Sequence, residues 1–177
     1  AGLDPGKGAS AILELSYQIQ KLFALNNVEK GITNNVGMIE GGTNPNVIAQ
    51  RASAVIDVRV LTMKDGEYIE DQIRNLTPIN SDTSISITGG IGRPPMEKTL
   101  RNRKLWMTAQ RVGKSMGLSL EEGTAGGGSD GNTTSQFTAT LDGLGTPGDG
   151  SHAHHEFIYQ DKLIERTALL TSLMLTK

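Results

Sequence analysis

The stretch ASAVIDVRVL, Ala52 to Leu61, alternates cleanly: Ala52, Ala54, Ile56, Val58 and Val60 line one side, and Ser53, Asp57 and Arg59 the other. A period of two marks a strand with one covered and one wet face. Working back, GITNNVGMIEGG (about 31–42) predicts another strand. Ser10 to Leu25 predicts a helix, with Ile12, Leu15, Ile19, Leu22 and Phe23 on one face at spacings of three and four. Working forward, about 66–76 predicts a helix with Tyr68, Ile69, Ile73 and Leu76 apolar, and TSISITGG (83–90) a strand ending at paired glycines. The order α-β-β-α-β is that of a split β-α-β sandwich without its first strand. That strand sits inside the sheet in such a fold. Its absence would strip neighbouring strands of hydrogen-bond partners, so the reading places it just upstream of Ala1.

The two prolines of GRPPM, Pro94 and Pro95, end this pattern. Beyond them the sequence predicts a helix over about 99–116, with Leu105, Ala109, Val112 and Met116 on one face and Gly117 as C-cap. A short strand at LSLEE (118–122), the glycine-rich loop GTAGGGSDGN (123–132), a short helix near 132–137 and a strand at TATLDG (138–143) follow. A last helix spans about 161–175, with Asp161 as N-cap and Leu163, Thr167, Leu170 and Met174 inward. This second part alternates α and β, as a piece of a larger layered α/β domain does.

Composition narrows the function. A net charge of -2 with no basic cluster argues against nucleic acid as the main partner. No apolar run approaches the roughly 20 residues of a membrane-spanning helix. There is no cysteine, which excludes disulfides and thiolate metal sites. The 22 glycines suggest tight turns or loops shaped around a ligand. AGLDPGKGAS, at the start, has neither an initiator Met nor a targeting signature and reads as the interior of a longer chain.

Three constellations could carry chemistry. GDGSHAHHEFIYQDK (148–162) holds all three histidines, His152, His154 and His155, beside Glu156. Imidazoles suit zinc, yet a closed zinc site needs four ligands, and a polar surface loop explains the same residues. The consecutive glycines of GGGSDGN can bring backbone N–H groups to an anion, or form only a turn. Arg93 can grip a carboxylate with its planar fork, or make a surface ion pair. Asn46 reads as a turn residue, and Asp57 with Arg59 as a cross-strand ion pair.

AGLDPGKGASAI, GGTNPNVIAQRASAVIDVR, GRPPM, GGGSDGN and LDGLGTPGDGSHAHHEFI occur in this order. Together they resemble the di-zinc aminoacylase and carboxypeptidase family, which includes carboxypeptidase G, acetylornithine deacetylase and succinyl-diaminopimelate desuccinylase. The glutamate carboxypeptidase branch is the most similar. The resemblance implies a mixed α/β and α+β architecture. Residues 1–94 would be a ferredoxin-like lid and dimerisation domain, and residues 95–177 the C-terminal part of an α/β zinc-peptidase catalytic domain. It implies two zinc ions, a homodimer formed through the lid, and a small substrate with a free carboxylate, either an N-acyl amino acid or a glutamyl compound. His152, in an H-x-x-x-E pattern with Glu156, matches a zinc ligand, whereas His154 and His155 match none. Arg93 matches the arginine that grips the substrate carboxylate. Asn46 and Arg59 match lid residues near the substrate. Gly127 and Gly128 line the cleft, with Ser129 and Asp130 supporting them.

The family's other ligands, in an H-x-D motif, a bridging aspartate and further acidic residues, match nothing in the sequence, nor does its Glu-Glu pair. Glu121 and Glu122 stand in the wrong place to be that pair. The family's lid histidine precedes AG, where this sequence begins. No residue of the sequence is therefore assigned as general base, and the resemblance implies a hydrolase portion that is inert alone. A non-catalytic dimerisation or binding module is the rival reading, and a histidine-loop metal-binding protein a third.

Overall fold

The alternation at Ala52 does form a strand. In the computed structural model, which describes residues 8–176, β2 (Ala52–Arg59) pairs antiparallel with β1 (Thr33–Gly41). The partners run from Thr33 opposite Arg59 to Gly41 opposite Ala52, with a register shift between Val36 and Met38. Ala52, Ala54, Ile56 and Val58 are the half-buried positions of β2 and the residues between them are exposed. Helix α1 (Ala11–Ala24) packs against both strands. A short 3-10 helix, Val28–Lys30, leads into β1, and α2 (Met63–Arg74) follows β2.

Two expectations for this part need correction. Residues 84–88 pair with neither described strand. Propensity without a partner makes no ladder. The buried line of α1 is Glu14, Gln18 and Leu22, while Ile12 and Phe23 are exposed. Glu14 Oε1 accepts the Ile79 N–H and Oε2 the Asn80 N–H, both at 2.9 Å. Gln18 Nε2 donates to Glu14 at 2.6 Å and to the Thr77 carbonyl at 3.1 Å. Two polar side chains thus satisfy a backbone segment laid across the helix, which is why they can be buried.

The chain divides into two compact units, Ala1–Pro95 and Met96–Lys177. In the second, α3 (Leu100–Ser115) buries Ala109 and Val112. It ends as expected around glycine. Met116 is the cap residue and Gly117 follows at φ 77. The N–H of Leu118 bonds the Gly113 carbonyl and that of Gly117 the Lys114 carbonyl, a Schellman ending. A five-residue helix, α4 (Asp130–Thr134), comes next. The two-residue strands β3 (Gly148–Asp149) and β4 (Phe157–Ile158) then form an antiparallel hairpin, followed by α5 (Gln160–Leu175).

The expected strands at 118–122 and 138–143 form no ladder among the described residues. Asp161 lies in the first turn of α5, and Tyr159 takes the cap position without a side-chain bond. The inward face of α5 also differs. It packs on α3 with Leu169 fully buried, leaving Leu163 48%, Leu170 43% and Met174 78% exposed. A helix apolar on several sides needs cover on several sides, and α3 covers one. Among the described residues, no helix is long and apolar enough to cross a membrane.

Candidate functional site

Apart from the half-buried Ser129, each residue that the sequence singled out stands at an exposed position. In the first unit Asn46 lies in the turn after Pro45, where the Val47 N–H bonds the Asn44 carbonyl at 3.1 Å. Arg59 ends β2, and its Nε donates to Asp57 Oδ2 at 2.9 Å. The pair joins positions i and i+2 of one strand, not two strands as expected. With the side chains 62% and 60% exposed, it contributes little to stability. Arg93 is exposed in the irregular stretch before Pro94.

In the second unit Gly127 and Gly128 are exposed just ahead of α4. Ser129 caps that helix, its Oγ accepting the Gly131 N–H at 3.0 Å, while Asn132 Oδ1 accepts the Ser129 N–H at 2.8 Å. Ser129 also donates its hydroxyl to Asp142 Oδ2 at 2.7 Å. Sequence reasoning did not flag Asp142, although it lies in the quoted LDG; a separation of 13 residues matches no local period.

The hairpin β3–β4 carries the histidine loop. The Ala153 N–H bonds the Gly150 carbonyl at 2.8 Å and the Glu156 N–H bonds the Ala153 carbonyl at 3.1 Å. His152 is held at φ 67, the one non-glycine residue at positive φ among those described. Its backbone N–H donates to Glu156 Oε2 at 3.2 Å. The H-x-x-x-E spacing therefore has a local structural meaning, since the glutamate reaches back to the amide of the histidine. His155 packs over Gly150, its ring within 2.9 Å of where a Cβ on that glycine would stand.

Left-handed backbone costs a non-glycine residue about 1 kcal/mol. His152→Gly is accordingly expected to keep or raise the melting temperature, whereas His152→Ala retains the cost. A glycine variant that melts below the alanine variant would show that the loop is not held in this conformation.

These residues do not compose a metal centre by themselves. Among the described residues no group of three or more His, Asp or Glu side chains is placed to hold a metal ion. Cavities among the described residues lie elsewhere. One, of about 360 Å³ in the first unit, is lined by residues including Asn26, Lys30, Lys64 and Tyr68. Another, of about 430 Å³ in the second, is lined by residues including Gln110, Lys114 and Leu120. Neither contains an expected site residue.

Residues 1–78 match the family profile described as the peptidase dimerisation domain. An uncharacterised protein, YqjE of Bacillus subtilis strain 168, is 24% identical over 180 residues, covering 98% of this chain and 47% of its own length. The chain thus spans about half the length of that relative. Among solved structures, aminopeptidase PepT from Bacillus cereus ATCC 10987 shares the fold with a TM-score of 0.67 at 19% identity, covering 98% of this chain and 47% of its own. A tripeptidase from Staphylococcus aureus Mu50 does so with a TM-score of 0.56 at 20% identity, over 97% and 45%. Residues 1–78 are thus similar to the peptidase dimerisation domain, and over almost its whole length the chain shares the mixed α and β fold of about half of PepT.

Proposed function

We propose that the chain is the dimerisation domain (residues 1–94) and the C-terminal part of the catalytic domain (95–177) of a metal-dependent peptidase that works as a homodimer. The match of residues 1–78 to the peptidase dimerisation domain carries this reading. The likeness to PepT along 98% of the chain supports it. In this reading His152 is the one residue of the chain assigned to a pair of zinc ions, held in place by its own turn. Arg93 orients the free carboxylate of the substrate by a bidentate contact. Asn46 and Arg59 approach the substrate from the dimerisation domain, and Gly127 and Gly128 line the cleft. Short peptides and N-acyl amino acids both present the required carboxylate. A preference for glutamate rests on the sequence resemblance alone, while the neighbouring folds belong to an aminopeptidase and a tripeptidase.

Peptide hydrolysis needs an activated water and a proton acceptor, and no residue of this chain is assigned to either. Among the described residues no complete metal site is formed, and in this reading they bind and position the substrate. That same observation favours a second reading, in which these residues act as a non-catalytic dimerisation and binding module.

Two measurements test the proposal. The 177-residue chain is expected to sediment as a dimer, to keep less than one zinc ion per chain after a mild chelator wash, and not to cleave a tripeptide. If these residues are part of a longer protein, that protein is expected to cleave it when zinc is supplied and to lose that activity with His152→Ala. A longer protein that binds zinc yet cleaves no peptide or N-acyl amino acid would favour the binding-module reading.

A further inference from the structure

The glycine-rich loop is fastened on one side and open on the other. A Cβ built on Gly127 would meet nothing within 4 Å. At the fastened end, Ser129 Oγ both donates to Asp142 Oδ2 at 2.7 Å and accepts the Gly131 N–H at 3.0 Å. Gly131 can have no side chain there without crowding, because its Cβ would stand 3.0 Å from Ser129 Oγ and 3.3 Å from Asp142 Cβ.

The segment that carries Asp142 is itself tied to α3. The Thr140 N–H donates to Asn102 Oδ1 at 3.0 Å, and Asn102 Nδ2 donates to the Glu97 carbonyl at 2.9 Å. Asn102 is 6% exposed, so its two bonds are made largely away from water. Arg101, beside it on α3, donates to the carbonyls of Ser135 and Phe137, at the end of α4. Three bonds therefore refer the loop and its anchor to one 16-residue helix, with Asn102 itself fixed by its bond to Glu97.

We propose that Asp142 is the positioning residue of the glycine-rich loop: through the Ser129 hydroxyl it fixes where Gly127 and Gly128 present their backbone. The functional meaning rests on reading those glycines as the wall of the substrate cleft. A loop ordered before its ligand arrives loses less conformational freedom on binding. A carboxylate is suited to the task because a hydrogen bond to a charged acceptor is stronger than one between neutral groups.

The test is amide NMR on the 15N-labelled 177-residue chain with Asp142→Ala, Asp142→Asn and Ser129→Ala. Asp142→Ala is expected to shift the amides of residues 126–131 and to speed their exchange roughly two- to tenfold, the effect of losing one hydrogen bond. The amides of α3 should stay in place. Asp142→Asn, which keeps an acceptor oxygen, should restore most of the native pattern. Adding Asp142→Ala to Ser129→Ala should change the loop little further, since both remove the same bond. Unmoved loop amides in Asp142→Ala, no recovery in Asp142→Asn, or fully additive effects would each overturn the proposal. Titration with triglycine tests the cleft reading separately. If it perturbs neither Gly127 nor Gly128 in the wild-type chain, that reading fails, while the variant spectra still decide the role of Asp142.

Discussion

Replacing Gly148 by alanine is expected to open the hairpin β3–β4 and release the histidine loop. A Cβ at this position would overlap the carbonyl oxygen of Phe157 and stand 3.1 Å from Ile158 Cα. Both are backbone atoms of the paired strand, so no side-chain rotation relieves the clash. The ladder has only two pairs, Gly148 with Ile158 and Asp149 with Phe157, extended by the Tyr159 N–H bonded to the Pro147 carbonyl at 2.9 Å. A hairpin this short has little stability of its own. The expected local loss is about 2–4 kcal/mol, at the severe end for one substitution. Hydrogen exchange at Tyr159 reads it directly, and the His152 amide should lose its native shift together with its bond to Glu156. Gly145→Ala is the control, because a Cβ there meets nothing within 4 Å. Native protection of Tyr159 in Gly148→Ala would mean that the strands do not approach so closely.

What the sequence disclosed followed from how far each interaction reaches. The period of two at Ala52 to Val58 persists in β2 because its covered face is decided by one neighbouring helix. The end of α3 was legible because a Schellman turn is local and glycine fits its left-handed residue without strain. Glu14 and Gln18 were not singled out as buried, because the groups that bury them lie 59 to 66 residues away. No helical period reports such partners. The strand-like runs at 84–88, 118–122 and 138–143 show propensity, but a strand is defined by its partner, and none of the described strands pairs with them. At the candidate site, resemblance singled out His152 with Glu156, and Gly127, whereas the bond from the His152 N–H to Glu156 Oε2 and the bond from Ser129 to Asp142 Oδ2 emerged only from geometry. The left-handed backbone of His152 was not anticipated, although histidine is among the non-glycine residues enriched at positive φ.

Glu14→Ala should lower the thermal stability of the first unit more than any neutral replacement on the exposed face of α1. Glu14 is 5% exposed, and its two oxygens receive the N–H groups of Ile79 and Asn80 as well as Gln18 Nε2. Alanine leaves both backbone donors without their charged acceptor, and a hydrogen bond to a charged group contributes more than one between neutral groups. A fall in melting temperature on the order of 5–10 °C is expected. Glu14→Gln retains one acceptor oxygen and should fall about half as far. Amide exchange at Ile79 and Asn80 should accelerate in both variants. The same bonds set a pH dependence. The Asn80 N–H, then the Ile79 N–H, then Gln18 hold the Glu14 carboxyl down at about 2, against an ordinary value of 4.5. A carboxyl whose folded value lies below its unfolded value binds protons more readily when unfolded. Its stabilising contribution is therefore complete above about pH 4.5 and is lost as the pH falls toward 2. Melting curves of wild type and Glu14→Gln recorded between these limits should converge on acidification, because the glutamine variant has no such proton to take up. Curves that stay parallel down to pH 2 would show that the carboxylate is not what fastens residues 77–80 to α1.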